Sequence, residues 1–99
     1  MSIRIRRSSG NVFRDLGFDT HEAENLRVRA DLMIDLVQLI RTRSLTQARA
    51  AKLLKVTQPR ISDLVRGKID RFSIDSLVAM VGCAGLRFEY TTRGSRRVA

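Results

Sequence analysis

The stretch that most constrains this chain is Leu45 to Lys68, Leu-Thr-Gln-Ala-Arg-Ala-Ala-Lys-Leu-Leu-Lys-Val-Thr-Gln-Pro-Arg-Ile-Ser-Asp-Leu-Val-Arg-Gly-Lys. It reads as two short helices joined by a tight turn. Thr46 is placed to cap the first, with Gln47 at its first helical position. Thr57 is placed to cap the second, which runs from Gln58 to about Arg66 and stops at Gly67. Ala51 stands where two helices must come close, and Val56 marks the turn. Ile61, Leu64 and Val65 recur at the three-to-four spacing of one buried face. Gln58, Arg60, Ser62, Asp63 and Arg66 fall on other faces, available to a partner. A short polar helix, buried on its apolar side and carrying Gln and Arg in its first turn, suits base edges in a major groove.

The charge pattern supports that reading. Residues 41–71 hold nine Lys and Arg against two Asp, and residues 1–14 hold four Arg and no acid. Residues 15–40, by contrast, hold six acids against two Arg. The total of +9 over 99 residues favours polyanions in general. Its peak on the paired helices and on the N-terminal arm points to nucleic acid in particular. A chain of this length implies one domain, and 43% hydrophobic residues give a real but small core. No apolar run approaches the roughly 20 residues of a membrane span. Arg4, Arg6 and Arg7 are not followed by the apolar segment of a secretory signal. Cys83 is alone, so no intrachain disulfide forms and a reducing cytoplasm is the natural setting.

Taken in order, residues 1–10 form a flexible basic arm, 11–92 the folded domain and 93–99 a short basic tail. In the arm Ile3 and Ile5 alternate with Arg4 and Arg6, a pattern also open to a short strand. Val12, Phe13, Leu16 and Phe18 cluster around Gly17 and read as a hook or single helical turn packed on the body. Asp19 or Thr20 opens a long helix whose Leu26, Ala30, Met33, Val37 and Ile40 form one apolar stripe and Leu32, Leu36 and Leu39 another, with Asp31 and Asp35 facing away. Ile69 to Phe72 is a linker. Ser73 caps a last helix, Ile74 to about Gly82, burying Ile74, Leu77, Val78 and Val81. From Leu86 to Thr92 the period changes to two, with Leu86, Phe88 and Tyr90 alternating with polar residues as in a strand. A lone edge strand needs a partner. Leu77, Val81, Leu86, Phe88 and Tyr90 are therefore the expected homodimer surface; the alternative is that the strand folds back on its own domain.

Arg60 leads the residues expected to read sequence, because a guanidinium bonds guanine O6 and N7 together. Gln58 can read adenine or fix a phosphate. Arg49, Lys52, Arg66 and Lys68 are expected on phosphates or solvated. Thr46 and Thr57 serve first as caps and second as phosphate ligands. Asp63 can accept from cytosine, but a salt bridge to Arg66 or Arg60 is the stronger expectation. No catalytic residue, metal site or cofactor is expected. His21 and Cys83 are single and separated, and there is no Ser-His-Asp set, metal-spaced cluster or phosphate loop.

The Leu45-Thr46-Gln47 opening, Ala51, Val56-Thr57, Ile61-Ser62 and Arg66-Gly67-Lys68 together resemble the phage-repressor-like helix-turn-helix regulators of the XRE class. A wider likeness runs from Gly10-Asn11-Val12-Phe13-Arg14-Asp15-Leu16-Gly17 through Phe72-Ser73-Ile74-Asp75 to Leu86-Arg87-Phe88-Glu89-Tyr90. It resembles the HigA-type antitoxins paired with RelE/HigB-type toxins, which are usually RNases. The resemblance implies an all-α, five-helix, lambda-repressor-like fold with a short C-terminal β-strand. It also implies a homodimer on a palindromic operator, acting as an autorepressor, with a toxin as a further partner. By the family pattern Gln47 contacts a phosphate, and Gln58, Arg60 and Ser62 meet base edges. Pro59 is unusual in a recognition helix; it falls in the first turn, where its missing N–H is tolerated, and is expected to stiffen that end. Lys55 departs from the pattern, standing where the family often has Gly. A left-handed backbone there costs roughly 1 kcal/mol, so a slightly different turn is expected. The alternatives are a module that chiefly neutralises a toxin and a stand-alone repressor with none.

Overall fold

A computed structural model of the protein describes residues 3–5 and 16–90, with side chains over 16–87. Strand β1 is Ile3–Ile5. Four α-helices follow: α1 Thr20–Thr42, α2 Gln47–Leu54, α3 Gln58–Val65 and α4 Ile74–Cys83. A single 3-10 turn, Ile69–Arg71, joins α3 to α4, and strand β2 is Phe88–Tyr90. A fifth helix is not seen among the described residues. Most of the expected arm, the hook before Leu16 and the 93–99 tail lie outside them.

The long α1 starts because Asp19 accepts a hydrogen bond from the Glu22 N–H at 2.8 Å. Over 23 residues it spans about 35 Å. It buries Ala23, Leu26, Val28, Leu32, Met33, Leu36, Leu39 and Ile40. Ala30 and Val37, expected in the stripe, are only half-buried, and Val28 is buried instead. Asp31 and Asp35 are half-buried too, correcting the expectation that they face away. Helix α1 ends on Ser44, in the left-handed region at φ 52, where the Leu45 N–H reaches back to the Ile40 carbonyl at 3.0 Å.

The core lies among the four helices, where α1 packs on α4 and α3, and α2 on α3 and α4. Leu32, Leu36, Leu54, Ile61, Leu64, Phe72, Leu77 and Val81 are its largest fully buried side chains. Leu45, Val56, Ile69 and Ile74 pack around it half-buried. Phe72, in the expected linker, is a central core residue at 2% exposure. Val65 is 39% exposed rather than part of the buried face of α3. Of the expected hook, Leu16 is 70% and Phe18 40% exposed, while Val12 and Phe13 lie outside the described residues.

The expected dimer surface needs a larger correction. Leu77 is 0% exposed, Val81 1% and Leu86 7%, all within the chain's own core. They face inward because α4 lies against α1 and the turn at Gly85 folds Leu86 back under them, its N–H bonded to the Val81 carbonyl at 3.1 Å. The strand also has a partner within the chain. Strands β1 and β2 pair in parallel, with Ile3 opposite Phe88, Arg4 opposite Glu89 and Ile5 opposite Tyr90. Part of the arm read as flexible is therefore strand.

Candidate nucleic-acid interface

Helices α2 and α3 are set against each other by the turn at Lys55 to Thr57. Lys55 takes the left-handed conformation, φ 58 and ψ 44, so the turn keeps the shape a glycine would make easiest. That corrects the expectation that Lys would alter it. Its N–H caps α2 by donating to the Lys52 carbonyl at 3.4 Å, and the Val56 N–H donates to the Ala51 carbonyl at 3.0 Å. Ala51 itself is 7% exposed, within the core cluster.

Each helix is started by a threonine. The Thr46 hydroxyl accepts from the Arg49 N–H at 3.1 Å, and the Thr57 hydroxyl from the Arg60 N–H at 3.4 Å. Pro59 occupies the first turn of α3, where its missing N–H leaves no gap in the ladder. Gly67, at φ 74, ends α3 and lets the Lys68 N–H return to the Asp63 carbonyl at 3.0 Å.

The faces of α3 then follow from helix geometry. Ile61 and Leu64 are buried. Pro59, Ser62, Asp63 and Arg66, spaced three and four apart, make the row on the opposite side. Pro59 and Arg66 are exposed, and Ser62 and Asp63 half-exposed. Thr46, Gln47, Thr57 and Gln58 are exposed at the starts of the two helices, with Arg49, Lys52, Lys55 and Lys68 around them. Thr46, Gln47, Thr57, Gln58, Pro59, Arg66 and Lys68 are thus exposed on the paired helices and Ser62 half-exposed.

Arg60 is the exception. It stands four residues before buried Leu64, on the flank next to the core rather than on the outer row. Its guanidinium lies over the Phe72 ring, 4.2 Å from the centroid, and donates from Nη1 to the Arg71 carbonyl at 2.6 Å. The leading position given to Arg60 in base readout is corrected by this geometry. Asp63 is corrected as well. It accepts from Arg71 Nη1 at 3.3 Å, not from Arg66 or Arg60.

Two further residues escaped the sequence reading. Phe72 directly precedes the Ser73 cap, five residues before Leu77, the spacing of a hydrophobic staple. That signal was there to be read. Arg29 on α1 donates from Nη1 to the carbonyls of Ile69 at 3.0 Å and Phe72 at 3.2 Å, and from Nε to Asn25 at 2.7 Å. These bonds tie the turn after α3 to α1 across 40 residues of sequence, and no local pattern foretells them. Among the described residues no group of three or more His, Cys, Asp or Glu could hold a metal, and no helix is long and apolar enough to cross a membrane.

With that geometry in place, similarity to known proteins is specific. A helix-turn-helix domain family matches residues 12–91. A solved structure provisionally described as an XRE family transcriptional regulator superposes with a TM-score of 0.70 at 28% identity, covering 79% of this chain and 88% of its own. No curated protein matches significantly.

Proposed function

The chain belongs to the helix-turn-helix domain family matched over residues 12–91, and from that premise we propose that it is a sequence-specific DNA-binding transcriptional regulator. It sets α3 in the major groove of a palindromic operator, as a homodimer that represses its own promoter from the bacterial cytoplasm and nucleoid. The observation that carries the reading is the two-sided character of α3. Ile61 and Leu64 are buried, while the row opposite them is polar and solvated among exposed cations. Gln58 and Ser62 are the base-reading candidates on this geometry, and Gln47, Arg49, Lys52, Arg66 and Lys68 meet phosphates.

Fluorescence anisotropy with the duplex upstream of the gene, against a shuffled duplex, tests it. The native duplex is expected to bind at least about a thousandfold tighter. Equal affinity would leave a non-specific DNA binder. In the same assay Arg66→Ala should weaken binding and reduce the slope of log affinity against log salt by about one. An unchanged slope would remove Arg66 from the phosphates and leave it solvated or on a base.

A second reading has its own observation. Leu16 and Phe18 hold apolar surface in water ahead of α1, on a segment the paired helices do not use. That surface suits a protein partner, which supports an antitoxin whose partner is a RelE/HigB-type toxin. Co-expression with the neighbouring reading frame decides it. A product that is toxic alone and copurifies with this chain establishes an antitoxin, and the absence of such a product leaves a stand-alone repressor.

A further inference from the structure

Three guanidinium groups from three different elements converge on one open groove of about 510 Å³. Arg29 comes from α1, Arg60 from α3 and Arg71 from the 3-10 turn, and the N-terminal turn of α4 closes the end. Asp70 is the one carboxylate on the lining. Like charges repel, so bringing three cations to a common space costs free energy unless something offsets it. Part of the offset is internal. Arg29 is spent on the carbonyls of Ile69 and Phe72, Arg60 on the Arg71 carbonyl and the Phe72 ring, and Arg71 on Asp63. Each of these bonds uses Nη1, and Arg29 adds Nε. A guanidinium carries five N–H donors, so each group keeps unspent donors beside the groove. Backbone carbonyls and a ring face also leave the positive charge of Arg29 and Arg60 unneutralised.

We propose that this groove binds a small phosphate-bearing anion, and that the occupant acts on α3 through Arg60. A dianion of tetrahedral oxygens accepts several N–H bonds at once, which matches guanidinium forks arriving from different directions. Arg60 belongs both to the groove and to α3. An anion that draws its guanidinium off the Arg71 carbonyl therefore alters the link between α3 and the turn behind it. The site is a place for a ligand-dependent change in DNA affinity, distinct from the outer row of α3. Anion binding stands whether or not that row reads an operator; the effect on DNA affinity rests on the proposed function.

The test uses the full chain without DNA, titrated with pyrophosphate at constant ionic strength and followed by amide chemical shifts. The expected result is saturable change confined to residues around Arg29, Arg60, Arg71 and Ser73. Arg71→Gln and Arg60→Gln should each weaken binding about tenfold or more, as loss of a charge-assisted bond implies, while Arg41→Gln leaves it unchanged. Arg71 is exposed, so its variant is expected to fold even if Arg60→Gln does not. Weak shifts spread over all exposed cations, equal in every variant, would overturn the site. A second arm adds duplex. If these residues respond to duplex but not to pyrophosphate, the phosphate is that of the DNA backbone and the small-ligand proposal falls.

Discussion

Arg60 shows how much one residue's meaning depends on which flank of a helix it occupies. By type it is the best base reader in α3, and by sequence it sits in the first turn. Counting four residues forward to Leu64 places it beside the core instead, where it covers Phe72 and holds the Arg71 carbonyl. A half-exposed cation–π contact contributes about 0.5–1 kcal/mol and the hydrogen bond about as much again. Arg60→Ala is therefore expected to cost about 1–2 kcal/mol of stability, read as a lower urea midpoint. Arg60→Lys should restore only part, since an ammonium lacks the planar group that stacks and bonds together. An unchanged midpoint with lost operator preference would return Arg60 to the bases. Lys55 makes the opposite case, because the sequence located its special position and misjudged the outcome. The family turn shape persists with Lys at φ 58, so packing of Ala51 and Val56 on either side outweighs a local cost of roughly 1 kcal/mol. Lys55→Gly should relieve that cost. It should raise the melting temperature by a few degrees, given the ~4–8 °C per kcal/mol of a domain this size, less what added freedom of the unfolded glycine takes back. A lowered melting temperature would mean that Lys55 makes stabilising contacts beyond its backbone.

Among the elements, the helices share one way of starting. Asp19, Thr46, Thr57 and Ser73 each accept a hydrogen bond from the N–H three residues on. The residue before each cap is apolar, in turn Phe18, Leu45, Val56 and Phe72. The residue four into each helix is buried, in turn Ala23, Ala50, Ile61 and Leu77. This is the staple spacing, repeated four times, and it sets the angle at which the chain enters every helix. It explains why helix positions were legible from the sequence: cap, apolar neighbour and spacing are all local. The links between elements were not legible. The Arg29 bonds to the turn after α3 and the exchange between Asp63 and Arg71 join residues that only the folded chain brings together. For the caps, Thr46→Ala should cost about 1 kcal/mol by thermal denaturation. Thr57→Ala should cost less, because its bond is 3.4 Å against 3.1 Å. Equal losses would show that the two caps tighten alike in solution. Ser73→Ala removes one half of a reciprocal pair with Ser76, whose hydroxyl still accepts the Ser73 N–H at 3.2 Å, so the entry to α4 is weakened rather than lost.

At the scale of the whole molecule, the ends of the chain close on each other. Ile3–Ile5 and Phe88–Tyr90 pair in parallel although more than 80 residues separate them. The period-two pattern from Leu86 to Thr92 showed that a strand needed a partner, but a three-residue partner at the other end of the chain carries too little pattern to be chosen over a second copy. The consequence falls on the proposed homodimer. Leu77, Val81 and Leu86 pack in the core beneath this closure, so they cannot also be the contact between protomers. Leu77→Asp separates the two roles. At an interface, the change would leave a folded monomer, with its helical circular dichroism intact and a smaller sedimentation coefficient. In the core, it places an unpaired carboxylate in the apolar cluster that includes Leu32, Leu36 and Phe72, and buried charges of that kind cost several kcal/mol. Small domains hold only about 5–15 kcal/mol in total. The expected result is thus a lower melting temperature or loss of the folded state, with no folded monomer at any concentration where the native protein is a dimer. A well-folded, monomeric Leu77→Asp protein would restore α4 as the dimer surface and require Leu77 to leave the core on association.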